Sequence, residues 1–230
     1  MSTNQPDKTE GRIHAVEEAF SKTEQFIESN QNLIMIVVGV LIVLVLGFFG
    51  FRKYYLQPRE IEAQGQMFMA EKYFEMDSLT KALNGDGNYL GFLDIMDQYG
   101  MTKSANLAKY YTGISYLKLG QFEKAIEYLD KFNGRDKVVA AMAKGGIGDA
   151  YLELNQPDKA LKYYLDAAEG KKNDFTSPIF YMKAAQVCEI QKNYEKALEY
   201  YRIVKKEYPR APESQEIDKN ISYTEGMIKK

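Results

Sequence analysis

A chain of 230 residues with a formal net charge of -2 has no overall basic field of the kind that draws a protein to nucleic acid. A single cysteine, Cys188, excludes an internal disulfide, and the single histidine, His14, stands without a metal-ligand neighbour. With 27% charged and 45% hydrophobic residues, the composition is that of an ordinary folded protein.

Residues 1–32 form a tail in which Lys8, Arg12 and Lys22 face six acids: Asp7, Glu10, Glu17, Glu18, Glu24 and Glu28. Ile13, Val16, Phe20 and Ile27 recur at helical spacing, which predicts a short amphipathic helix. Such a helix would rest near a membrane or present its apolar face to a partner.

Residues 33–51, "LIMIVVGVLIVLVLGFFGF", contain no charge. About 20 apolar residues at roughly 1.5 Å each cross a hydrocarbon core of about 30 Å, so a transmembrane helix is predicted over Leu33–Phe51. The run is too long for a cleaved signal peptide and no small-x-small site follows Phe51, so the expectation is a retained anchor. No cysteine follows it to accept a lipid. Residues 52–58 read as a juxtamembrane linker, where Arg52, Lys53, Tyr54 and Tyr55 suit a membrane–water interface. Lys8, Arg12 and Lys22 lie before the span, and Arg52, Lys53 and Arg59 after it. Close to the span this leans slightly toward a cytoplasmic C-terminal side, and it does not decide the orientation.

Residues 59–100 read as a divergent first helical hairpin. Its first helix is "IEAQGQMFMAEKYFEMDSLTKAL", its punctuation "NGDGN" and its second helix "YLGFLDIMDQYG". Residues 101–211 then repeat themselves three times. Ala125, Ala160 and Ala197 are 35 and 37 residues apart, and Gly113, Gly148 and Ala185 keep the same separations. A period near 34 with a small residue, an aromatic three later, an alanine and a large apolar residue is the spelling of tetratricopeptide repeats. The copies supply Gly113, Tyr116, Ala125 and Leu129, then Gly148, Tyr151, Ala160 and Tyr164, then Ala185, Cys188, Ala197, Tyr201 and Pro209. The consensus Trp is replaced by Lys109, Lys144 and Tyr181. Residues 212–230 place Ile217, Ile221 and Ile228 at helical spacing, as a helix capping a solenoid would. The expected fold is therefore all-α: an N-terminal transmembrane helix, then a solenoid of about three to four helical hairpins with a C-terminal capping helix.

Other motifs fail on inspection. "AKGGIGDAY" lacks phosphate-loop spacing and falls inside a repeat helix. "NGDGN" opens like a calcium loop but has Tyr89 where Gly is needed and Ile95 where Glu is needed. Cys188 holds an inward position of its repeat and reads as core packing. No acid, base and nucleophile assemble, so neither catalysis nor a cofactor, metal or small-molecule substrate is expected. From the repeat register, Leu107, Tyr110, Ile114, Met142, Gly145, Asp149, Met182 and Gln186 should line the face made by the first helices. The Lys and Asn pairs of a carboxylate clamp are absent there: the pairs are Tyr110 with Ile114, Gly145 with Asp149, and Met182 with Gln186. Aromatic and Met side chains point either to an adaptable peptide surface or to packing within the stack.

The acidic tail with "EAFSKTEQFIESNQN", one uncleaved span, "FRKYY" after it and a small degenerate repeat domain together resemble the YfgM family, ancillary subunits of the bacterial Sec translocon. "ALNGDGNYLGF" also resembles repeat proteins of Bacteroides-type bacteria. The resemblance implies an inner-membrane protein with a cytoplasmic tail and periplasmic repeats. It implies as partners translocon subunits, chaperones or emerging client chains. The residues alone leave open a structural scaffold that tethers another envelope complex.

Overall fold

The computed structural model describes residues 28–229, so the amphipathic tail helix expected around Ile13–Ile27 and His14 lie outside the described residues. Two compact units, Met1–Gln57 and Pro58–Lys230, divide the chain. Every regular element among the described residues is helical.

In the first unit, α1 spans Gln31–Phe51 and buries none of its residues. Its apolar side chains are exposed on every side: Leu33 is 60% exposed, Val43 69% and Leu46 67%. By length and composition it can cross a membrane. Residues 52–58, expected as a linker, are helical instead. A π-helical turn, Arg52–Leu56, closes with Gln57 N donating to Arg52 O. The turn stands directly before Pro58, which has no N–H for regular α-helical pairing.

The second unit runs α2 (Gln57–Glu75), α3 (Leu79–Asn84), α4 (Phe92–Gln98), α5 (Lys103–Lys118), α6 (Phe122–Asp130), α7 (Lys137–Glu153), α8 (Pro157–Glu169), α9 (Ser177–Ile190), α10 (Tyr194–Glu207) and α11 (Ile217–Ile228). Hairpins α5–α6, α7–α8 and α9–α10 pack in series, α6 against α7 and α8 against α9, and α11 closes the array on α10. Small residues set the crossings. A Cβ added at Gly113 would come within 2.5 Å of Leu129 Cγ, and one at Gly148 within 2.6 Å of a Tyr164 ring carbon. Thr102, Asp136 and Asn193 cap α5, α7 and α10 through side-chain oxygens that accept backbone N–H groups. Glu60 on α2 also accepts from Lys103 N at 2.5 Å and Ser104 Oγ at 2.8 Å, at the start of α5.

The turn inside each hairpin is the same object three times. Gly120, Asn155 and Lys192 have φ of 71°, 55° and 58°. The following N–H reaches back across the turn: Gln121 to Tyr116 O, Gln156 to Tyr151 O and Asn193 to Cys188 O, at 2.9, 2.8 and 2.8 Å. A fourth copy of this turn lies upstream. Asp77 has φ 55°, and Ser78 N donates to Tyr73 O at 2.8 Å.

This fourth turn corrects the expected first hairpin. The stretch 61–83 is not one helix: it breaks after Glu75 and α3 follows across the turn, while α2 packs against Ala82 of α3 and against Phe92, Ile95 and Tyr99 of the expected second helix. Ala70, Tyr73, Lys81 and Ala82 each lie 43 residues before Gly113, Tyr116, Lys124 and Ala125. Ala70 and Ala82 are fully buried, as their counterparts are. α4, which packs on both α2 and α5, is separated from α3 by the turn at Gly85–Gly91. There Asp86 accepts from Asn88 N, Tyr89 N and Tyr73 OH at 3.0, 2.9 and 2.7 Å. The Tyr73 hydroxyl first, then the two backbone donors, hold its carboxyl below the usual range.

Candidate functional site

The residues expected on the first-helix face fall on α5, α7 and α9, and the structure treats them differently. Leu107 is half-buried and packs on the cluster of Phe92, Ile95 and Tyr99. Tyr110 lies 5.6 Å from the Phe132 ring and 5.7 Å from Tyr111 between centroids, and burial raises its hydroxyl pKa. Ile114 packs beside Leu129, Ala143 and Ile147 of the next repeat boundary. Met182 is half-buried on the cluster around Tyr164 and Tyr181. Met142 and Gln186 are exposed.

Gly145 and Asp149 are engaged with the neighbouring repeat. A Cβ at Gly145 would fall on the Phe180 ring of α9, so the glycine exists to let that ring approach. Asp149 Oδ1 accepts from Lys183 Nζ at 2.5 Å and from Tyr164 OH at 2.6 Å, and the Lys183 ammonium stands 5.5 Å from the Tyr164 ring centroid. One carboxylate thus ties α7 to α8 within its repeat and to α9 of the next. Burial, then the bond to Asp149, pushes the Tyr164 hydroxyl far above its ordinary pKa. With its charge compensated and one oxygen accepting twice, Asp149 works as a clip between repeats.

A second repeated device lies on the hairpins themselves. Lys124 sits over Tyr116 at 5.1 Å and Tyr116 stacks on Tyr128 at 5.5 Å. Lys159 sits over Tyr151 at 5.0 Å and Tyr151 stacks on Tyr163 at 5.4 Å. Lys81 sits over Tyr73 at 5.8 Å in the upstream copy. The third repeat puts Cys188 where the others hold tyrosine, fully buried, and burial raises its thiol pKa.

Sequence reasoning missed one concave feature. A cavity of about 300 Å³ opens between α6, α7 and α8, walled by Leu129, Phe132, Ala143 and Ile147, with Lys144 and Lys171 among its polar lining. Lys144 holds the consensus Trp position and lines this cavity, with its ammonium 3.4 Å from Asp166 O. At the equivalent position of the third repeat Tyr181 is 1% exposed and fills its site. The signal was present in the replacement of that Trp beside Ala140, Ala141 and Ala143.

Residues 110–175 and 147–212 match the tetratricopeptide repeat family. Residues 110–212 carry tetratricopeptide repeats. The matched residues cover α5 from Tyr110 through α10. The upstream tetratricopeptide-like turn at Asp77 and the capping helix α11 lie outside them. No curated protein sequence matches this chain.

Proposed function

We propose that this chain is a membrane-anchored protein–protein interaction module of the bacterial inner membrane that assists export at the Sec translocon. The observation that carries this reading is the pairing of tetratricopeptide repeats, a scaffold for binding polypeptides, with an apolar helix that has no buried residue. Residues 33–51 span the bilayer, the tail is cytoplasmic and the repeats are periplasmic. The span recruits translocon subunits, and the first-helix face, with Leu107, Tyr110, Ile114, Met142, Asp149, Met182 and Gln186, meets chaperones or emerging chains. The orientation and the translocon rest on the architectural resemblance to the YfgM family.

A second reading is a scaffold that tethers another envelope complex and binds no client. The engagement of Gly145 with Phe180 and of Asp149 with Lys183 favours it, because these positions already serve the stack. The full-length protein pulled down from mildly solubilised membranes separates the two, with residues 33–51 exchanged for an unrelated span as control. Translocon subunits enriched by the native span and lost with the exchange support the first reading. A different complex recovered equally by both proteins overturns it in favour of the scaffold.

A further inference from the structure

Between Gln31 and Pro58 the only charged residues are Arg52 and Lys53, and no acid lies among them. Both side chains are exposed and stand at the end of α1, on the π-helical turn Arg52–Leu56. Tyr54 is 78% exposed beside them, with the Lys53 ammonium 5.7 Å from its ring centroid. Phe51 and Tyr55 stack at 5.0 Å with 24° between planes on the same helical segment. The arrangement is a collar: two cations with no carboxylate partner among the described residues, and three rings on the same helical segment, at the end of the apolar run.

We infer that this collar selects anionic lipid headgroups from the surrounding bilayer, a reading that rests on α1 spanning the membrane. The charge argument is direct. A cation without a carboxylate partner, held at the interface, is complementary to a lipid phosphate whose negative charge no choline or ethanolamine offsets. The aromatic rings anchor the depth of the turn, so the cations cannot retreat into water. The winding of the turn sets the kind of selectivity. Successive helical residues are rotated by about 100°, and even a wider π-helical turn keeps Arg52 and Lys53 well apart around the axis. They therefore face different lipids. The collar reads net charge in its annulus of lipids and does not build a pocket for one headgroup.

The test uses the full-length protein reconstituted in phosphatidylcholine bilayers containing lipids spin-labelled near the acyl-chain end. The motionally restricted spectral component reports lipid in contact with the protein. Labelled phosphatidylglycerol should associate roughly threefold to fivefold more strongly than labelled phosphatidylcholine, from the attraction of basic residues for an anionic surface. Labelled phosphatidylserine, of equal net charge, should match phosphatidylglycerol. The preference should fall toward unity at 1 M salt, where the Debye length is about 3 Å, and in the Arg52→Gln/Lys53→Gln variant. That variant should keep the same restricted fraction of phosphatidylcholine, which shows that it still inserts. Restricted lipid with no preference for the anionic labels overturns the collar. So does a preference confined to one headgroup, or one that survives both substitutions and so belongs to Lys8, Arg12 or Lys22. Absence of any restricted component overturns the membrane reading itself, and the collar with it.

Discussion

A Cβ at Gly145 would fall on the Phe180 ring, while one at Gly65 would meet nothing within 4 Å. Both glycines sit inside helices, so the same substitution separates packing from propensity. Gly145→Ala should lower stability by about 1–3 kcal/mol, because a well-packed interior has no room for the added methyl. Gly65→Ala should raise it by up to about 1 kcal/mol, since alanine suits an open helix position better than glycine. Urea unfolding followed by circular dichroism checks both, and equal effects would show that Gly145 does not meet Phe180 as described. Asp149 illustrates the same limit on reading single residues. Its place on α7 was legible from the repeat register, but its partner Lys183 lies 34 residues away on another helix. Nothing local announces that pair.

At the scale of elements, the hairpin turns are the most regular feature of the fold. In the four hairpin turns the left-handed residue is Asp77, Gly120, Asn155 or Lys192, so only one of the four is glycine. A side chain in that region crowds its own backbone, a cost that Asn and Asp lessen and Lys does not. Lys192→Gly should therefore stabilise the third hairpin by about 0.5–1 kcal/mol, allowing for the greater freedom glycine loses on folding. A shift of the unfolding midpoint to higher urea at unchanged slope is the expected result, and a shift to lower urea would be incompatible with this turn. The turn at Asp77 escaped the sequence reading because no Gly, Asn or Pro marked it. Yet "YFEMDSLTKAL" from Tyr73 spells nearly the same pattern as "YLELNQPDKAL" from Tyr151. The 43-residue separation from the next copy, against 35 between the next two, hid it from a search for a fixed period.

Across the second unit, tyrosine is the main buried aromatic. Tyr164, Tyr181 and Tyr201 are 1%, 1% and 2% exposed. Burial is the leading cause that raises each hydroxyl pKa, assisted by Asp149, Glu169 and Glu189 respectively. A raised folded pKa contributes stability that is complete below the unfolded value, about 10 for tyrosine, and is lost as pH rises toward the folded value. The thermal midpoint should hold steady to about pH 9 and fall progressively above about pH 10. Tyrosinate absorbance near 295 nm should grow chiefly with unfolding. Tyr164→Phe should make the fall shallower. A midpoint unchanged through the tyrosine range would mean that these hydroxyls are not held in the interior.

Local chemistry alone determined the helical class, the apolar helix, the three matched hairpins and the small residues at their crossings. Helical period, small-residue spacing and the length of an uncharged run are properties of one segment, readable without knowing what lies beside it. The tertiary structure decided which faces meet. It engaged Gly145 and Asp149 in contacts between repeats, broke the stretch 61–83 at Asp77, made residues 52–58 helical and left a cavity beside Lys144. The period of a helix sets the angle at which a side chain leaves the axis. What occupies the space at that angle depends on helices tens of residues away, and on how closely backbones without a Cβ allow them to approach.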